Sequence, residues 1–153
     1  MLVSGRLDND VRRHVLLAHL SIRDFTIVDR VELDLGGGLT ALTGETGAGK
    51  SILVDALVLA LGARASPDVV RTGQERAEIT AVFDLSHAVE LSERLRALAL
   101  DTDDGECIVR RIVSAEGRSR AFVNGRPVPN QTLRDLTQGV IEVHGQHAHH
   151  SLL

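Results

Sequence analysis

The sequence has little aromatic character, one lysine and one cysteine. It contains no Trp, no Tyr and only 3 Phe, which argues against a module that binds single strands by stacking their bases. The single cysteine, Cys107, cannot form an internal disulfide, and its place in the apolar run ECIVRRIV predicts a small buried side chain. A reducing compartment suits such a chain.

Long hydrophobic segments are also missing. No apolar run reaches the length of a membrane helix, and the N-terminus lacks the hydrophobic centre and cleavage site of a secretory signal. We therefore expect a cytoplasmic protein without a membrane partner. The 17 basic and 21 acidic residues give a net charge of -4, so no global positive field draws the chain onto nucleic acid, and any DNA contact must be local.

The 153 residues, 43% of them hydrophobic, suffice for one folding unit. Residues 1–16 are polar and without periodicity, which predicts a flexible leader before a single domain over 17–153. Alternating apolar residues predict strands at 17–25, 26–35, 77–85 and 140–143, and a hairpin formed by 106–114 and 118–125 that ends at Pro127. Helical periodicity predicts helices at 87–100 and 130–138, the latter with Asn130 as its cap.

A further strand, helix and intervening glycine loop form half of a βαβ unit. Leu39 to Thr43 make a short apolar strand that ends at Gly44. Residues 50–62 are apolar on nearly every face of a helix, which predicts a buried helix with Gly62 as its natural stop.

The loop matches the complete phosphate-loop pattern G-x-x-x-x-G-K-[ST]. Its residues are Gly44, Glu45, Thr46, Gly47, Ala48, Gly49, Lys50 and Ser51. Glycines let successive N–H groups point into one concavity above the positive end of the helix dipole. Lys50, the sole lysine, would span the β and γ phosphates, and the Ser51 hydroxyl would bind Mg²⁺. The loop predicts binding of a nucleoside triphosphate with Mg²⁺.

With these motifs the sequence resembles the N-terminal head segment of RecN-type bacterial DNA repair ATPases, relatives of the structural-maintenance-of-chromosomes proteins. The resemblance rests on TGETGAGKS, VRTGQERAEITAVFDL, RSRAFVNGRPVP and the closing IEVHGQHAHHSLL, and it covers about Leu17 to Leu153. It implies an α/β fold: the N-terminal lobe of an ABC-type P-loop NTPase head, with an antiparallel β portion around the P-loop strand and helix. Asp24 departs from the family, in which an Asn is expected.

The resemblance also implies ATP as the nucleotide and Gln146 as the glutamine that reaches Mg²⁺ and the γ-phosphate. Two such heads dimerise around ATP, and the full-length protein binds DNA during double-strand break repair and recombination. The C-terminal half of the head, which carries the signature motif and the Walker B aspartate, is not recognisable in this sequence. We therefore expect ATP hydrolysis from the full-length protein, whereas this chain alone should bind nucleotide poorly or incompletely and hydrolyse very little of it.

Several other groups of residues leave alternatives open. The histidines 144, 147, 149 and 150 could chelate a metal, although no recognisable ligand set accompanies them. The hairpin arginines 110, 111, 118, 120 and 126 could contact DNA phosphates, or could be solvated and paired with Glu106 and Glu116. Arg64 and Arg71 could lie near the nucleotide or at a dimer face, and the acidic turn 101–104 is expected to be solvated.

Two other functions compete with a repair ATPase. One is a stand-alone P-loop kinase or phosphotransferase, which would need an acidic Mg²⁺ ligand and a lid of arginines. The other is a non-catalytic interaction module with a vestigial loop.

Overall fold

The computed structural model describes residues 2–4, 15–35, 47–139 and 141–144. The strands within these ranges are β1 (Leu2–Ser4), β2 (Leu16–Phe25), β3 (Val28–Asp34), β4 (Arg76–Asp84), β5 (Glu106–Ser114), β6 (Ser119–Val123), β7 (Arg126–Val128) and β8 (Glu142–His144). The helices are α1 (Gly47–Ala60), α2 (Val89–Ala97) and α3 (Asn130–Thr137), with a 3₁₀ turn at Pro67–Val69. No helix in the described part is long and apolar enough to cross a membrane.

Six of these strands form one antiparallel sheet in the order β3-β2-β4-β5-β6-β7. Along β4, the residues Ala77, Ile79, Ala81 and Phe83 are buried while their neighbours are partly or fully exposed. This is the period-two pattern of a strand with one face on the core. The strands and hairpin predicted from alternation are confirmed. Strand β1, whose residues were expected to belong to the leader, pairs with β8 in a separate two-stranded ribbon.

The P-loop helix α1 packs on the inner face of this sheet, against β4 and β5. Val54 and every residue from Ala56 to Leu61 are buried, as expected for a helix that is apolar all round. Its predicted end at Gly62 is confirmed. The strand predicted at Leu39–Thr43 lies outside the described residues.

The hairpin does not end at Pro127. The chain turns at Asn124 and Gly125, which both have positive φ, and returns as β7, where Pro127 pairs with Phe122. A proline cannot donate to a ladder, but an edge strand tolerates it because its outer side needs no partner. The edge position of β7 in this sheet therefore accommodates Pro127.

The prediction that Asn130 caps α3 is wrong. Pro129 occupies the N-cap position, with ψ of 147° and no side-chain cap, and Asn130 is already helical. The Asn130 side chain instead donates through Nδ2 to the carbonyl oxygen of Gly62, 2.8 Å away. The residue thus links two helices and does not close the end of its own.

Candidate functional site

The described part of the phosphate loop opens helix α1. Gly47, Ala48, Gly49, Lys50 and Ser51 are its first residues, whereas Gly44, Glu45 and Thr46 lie outside the described residues. Gly49 is exposed, and Lys50 and Ser51 are partly exposed. The first turn of a helix has N–H groups without an intrahelical partner and carries the positive end of the dipole, so this end of α1 suits an anion.

The residues present also fit Mg²⁺. A hydroxyl such as that of Ser51 is a hard oxygen ligand, and Mg²⁺ in phosphate sites takes most of its remaining ligands from phosphates and water. Among the described residues, no cluster of three or more His, Cys, Asp or Glu side chains could hold a metal by itself.

The other end of α1 closes with a Schellman motif. Gly62 has φ of 111°, its N–H bonds to the Leu59 carbonyl, and the N–H of Ala63 bonds to the Val58 carbonyl. These are the two hydrogen bonds that define this C-terminal cap, and its left-handed residue is usually glycine. The helix therefore ends in a fixed geometry.

Arg111 of β5 donates to the carbonyls of this end. Its Nη1 lies 2.7 Å from the Leu59 oxygen and 3.0 Å from the Ala63 oxygen, and its Nη2 lies 2.6 Å from Ser119 Oγ. Only 1% of Arg111 is exposed. Burial lowers the pKa of the guanidinium to about 10, with a smaller effect from the nearby charge of Arg134. The group still carries a full charge at neutral pH, where a cation at a helix C-terminus is favourable.

Helix α3 supplies a second set of donors. Arg134 Nε and Nη2 each lie 3.2 Å from the Gly62 oxygen, which also accepts from Asn130. The buried Thr137 hydroxyl lies 3.0 Å from the Leu61 oxygen and 3.1 Å from the Leu133 oxygen, and donates to one of them. The carbonyls of Leu59, Leu61, Gly62 and Ala63, at the C-terminal end of α1, thus accept hydrogen bonds from the sheet and from α3.

The sequence does not predict this arrangement. It groups Arg111 with the hairpin arginines as either a DNA contact or a solvated side chain, and both alternatives are wrong for it because the side chain is buried. One signal points to burial. Arg111 has the same parity along β5 as Cys107, Val109 and Val113, all of which face the core.

The remaining hairpin arginines differ in their contacts. Arg110 Nε lies 2.6 Å from Glu78 Oε1, so its partner is on β4 and not Glu106 or Glu116 as expected. Arg126 donates to the Ala99 carbonyl. Arg118 and Arg120 are exposed and form no ion pair with a described residue, and the Arg120 guanidinium lies 5.9 Å from the centre of the Phe122 ring. These two remain available for an anionic partner.

Arg71 lies beside the turn between β2 and β3. Its Nη1 is 3.2 Å from Asp29 Oδ1 and 3.5 Å from Asp24 Oδ1, and its N–H donates to the Asp24 carbonyl. Asp24 has φ of 50°, a left-handed conformation that Asp and Asn tolerate better than most residues. Asp24, where the family resemblance leads us to expect Asn, is therefore compatible with the turn. Arg64 is exposed just beyond α1.

Some predicted site residues fall outside the part of the chain that the structure describes. These are Gln146 and the histidines 147, 149 and 150, whereas His144 is the last residue of β8. The acidic turn 101–104 is exposed, as expected.

Comparison with known proteins identifies the family. The model of the AAA domain family matches residues 19–144, which is most of the chain. The chain belongs to the AAA domain family. It is 50% identical over 138 residues to the DNA repair protein RecN of Vibrio cholerae, a match that covers 90% of this chain and 25% of that protein. The resemblance to RecN-type proteins is confirmed, and the chain spans about a quarter of the length of this relative.

Solved structures confirm the fold of this AAA domain chain. The Smc head domain derived from Pyrococcus furiosus superposes with a TM-score of 0.65 at 25% identity, over 82% of this chain and 33% of that one. A second structure, from work on the ATP-driven dimerization and DNA-stimulated activation of SMC ATPases, superposes with a TM-score of 0.62 at 24% identity, over 81% of this chain and 78% of that one. The predicted lobe of an SMC-like P-loop head, with its antiparallel sheet and buried helix, is correct. These relatives and structures give no support to a stand-alone phosphotransferase or a vestigial module.

Proposed function

We propose that the chain binds ATP with Mg²⁺ on Gly44–Ser51 and forms the P-loop portion of a RecN-type ATPase head that acts in DNA double-strand break repair and recombination. One observation carries the proposal. The last five residues of a complete phosphate-loop motif open a buried helix, α1, with Lys50 and Ser51 accessible in its first turn. The similarity to the DNA repair protein RecN supports repair as the process, and the resemblance to RecN-type ATPases supports ATP as the nucleotide.

Each residue of the loop has a distinct task in this proposal. The backbone amides around Gly47 and Gly49 surround the phosphates, where the lack of a bulky side chain lets an anion approach closely. Lys50 neutralises charge on the β and γ phosphates as a compact ammonium. The Ser51 hydroxyl binds Mg²⁺, which when bound neutralises phosphate charge that the loop alone leaves uncompensated.

The rest of the cycle requires a partner for this lobe. In our proposal the C-terminal half of the head completes the site, and two heads close around ATP. ATP-driven dimerization is described for the SMC ATPases that this chain resembles in fold. Hydrolysis then belongs to the assembled heads, and the chain alone turns over little ATP. DNA is the partner of the full-length protein, and we place that protein in the bacterial cytoplasm, on the nucleoid.

The nucleotide-binding part is tested with a fluorescent ATP analogue and Mg²⁺, using wild type, Lys50→Ala and Arg64→Ala. Lys50→Ala should weaken binding by about tenfold or more, because it removes a charge-assisted hydrogen bond of roughly 1.5–3 kcal/mol. Arg64→Ala removes an equal charge from the far end of α1 and should bind like wild type. Equal affinity for wild type and Lys50→Ala would refute the assignment of the loop.

Gln146 is proposed as the residue that senses the γ-phosphate. In a head reconstituted with its C-terminal half, Gln146→Ala should lower ATP turnover on the order of tenfold, as expected for loss of one hydrogen bond to a charged group. Binding of the analogue should change little. Unchanged turnover would remove Gln146 from the site.

A further inference from the structure

Arg111 is a buried cation whose hydrogen bonds go to the main chain and a hydroxyl. A charged side chain is seldom fully buried unless it is paired. Among the described residues no carboxylate lies within 4.0 Å of Arg111. Its partners are instead the carbonyls of Leu59 and Ala63 and the hydroxyl of Ser119.

The carbonyl acceptors all belong to the end of the P-loop helix. Arg111 reaches Leu59 and Ala63 from β5, and α3 reaches Gly62 through Asn130 and Arg134. Ser119 joins the same guanidinium to β6. The C-terminal turn of α1 is therefore fastened to two strands of the sheet and to one helix.

We propose that Arg111 is a positioning residue of the nucleotide site: by fastening the last turn of α1 to β5 and β6, it sets where the first turn presents Lys50, Ser51 and the phosphate-binding amides. This inference rests on the proposed function of the loop. Arg111 acts through the helix and touches no nucleotide.

The length of α1 gives the physical reason. Its 14 residues span roughly 21 Å at about 1.5 Å per residue, so a tilt of about 3° at one end moves the other end by about 1 Å. In catalytic sites a displacement of about 1 Å can reduce the reaction rate by up to about a hundredfold, and the hydrogen bonds that hold a phosphate also depend on distance and angle. Apolar packing alone does little to prevent a helix from rotating or sliding slightly on the sheet. Directed hydrogen bonds fix its position more specifically.

A residue that only stabilised the fold would behave differently. Its loss would lower the melting temperature but leave the affinity of the folded molecules for nucleotide unchanged. A positioning residue changes the affinity at temperatures where the variant is fully folded. Affinity measured alongside thermal unfolding therefore separates the two roles.

The test compares Arg111→Met and Arg111→Lys with Arg110→Met in the full chain. Arg110 is adjacent but lies on the opposite face of β5, where it pairs with Glu78. We expect Arg111→Met to bind the fluorescent ATP analogue about tenfold or more weakly with Mg²⁺ while folded. Arg111→Lys keeps the charge but not the planar set of N–H donors, so its affinity should lie between those of Arg111→Met and wild type. The affinity of Arg110→Met should equal that of wild type. Wild-type affinity in folded Arg111→Met would overturn the proposal.

The experiment remains decisive if Arg111→Met does not fold or if wild type binds no nucleotide. If Arg111→Met does not fold, Arg111→Lys decides, and wild-type affinity in that variant overturns the proposal. If wild type itself binds no nucleotide, the proposed function fails, and amide hydrogen exchange then tests the positioning role alone. In that case Arg111→Lys should speed amide exchange across Lys50–Val54, near the N-terminal end of α1. Unchanged exchange there would overturn the inference.

Discussion

Gly62 lies so close to Arg134 that a β-carbon on the glycine would be 3.1 Å from both the Cα and the backbone N of Arg134. Gly62 also has φ of 111°. Two independent constraints therefore require glycine at the end of α1: the left-handed backbone and the proximity of α3. The same packing brings the Arg134 guanidinium to the Gly62 carbonyl.

We predict that Gly62→Ala lowers the free energy of unfolding by roughly 1–3 kcal/mol, through backbone strain and the displacement of α3. Gly117→Ala is the matched control. Gly117 has φ of 95°, but an added β-carbon there would meet no atom within 4 Å, so only the strain applies. Urea unfolding of both variants checks this, and equal losses of stability would show that the proximity of Arg134 has no effect.

Much of this fold could be predicted from periodicity, while the fastening of α1 could not. Alternation located β2 to β6, because one face of each strand meets the core, and the all-apolar run identified α1. The roles of Arg111 and Asn130 depend on which distant carbonyls they meet, 52 and 68 residues away in sequence. Local rules treat an arginine in a hairpin as solvated and an asparagine before a helix as a cap, and tertiary contacts override both.

The thiol of Cys107 should be inert in the native state. Its side chain is buried, and burial raises the pKa of the thiol to about 12. Because the thiolate is the reactive form, only about one thiol in ten thousand is ionised at about pH 8. A thiol-specific reagent should label native protein at least roughly a hundredfold more slowly than urea-unfolded protein. Comparable rates would mean that Cys107 is accessible.

Asp84 closes a turn at the end of β4 and should make stability depend on pH. Its Oδ1 accepts from the hydroxyl and the N–H of Ser86, and these bonds lower the pKa of the carboxyl below its ordinary value of 3.8. A carboxyl whose folded pKa is lowered contributes stability that is fully present above its unfolded pKa. That contribution is lost as the pH falls through the folded pKa.

Asp84→Ala should therefore cost about 1 kcal/mol near neutral pH, and the difference from wild type should shrink below about pH 4. Denaturant unfolding between about pH 2.5 and 7 measures it. Asp103→Ala, in the exposed 101–104 turn, should change little throughout. A difference that stayed constant down to the lowest pH would contradict an ionic role for Asp84.

Arg118 and Arg120 are the hairpin arginines to test against DNA. Both are exposed, whereas Arg111 is buried and Arg110 is paired with Glu78. If these two side chains contact phosphates in the full-length protein, replacing both with Glu should weaken DNA binding. The slope of log affinity against log salt should become less steep by roughly 2, about one for each phosphate that is no longer neutralised. Affinity should fall to a similar degree for unrelated DNA sequences, because phosphate contacts do not read bases.

Arg96→Glu provides the control, since Arg96 is exposed on α2 and the substitution changes net charge in the same direction. A general effect of charge would make this variant lose affinity in proportion to its one substitution. A specific effect would leave its salt slope at the wild-type value, because the phosphate contacts would be intact. If the salt slope of the Arg118 and Arg120 double variant equals that of wild type, these arginines do not contact DNA, and the hairpin is a solvated edge in which charge resists aggregation.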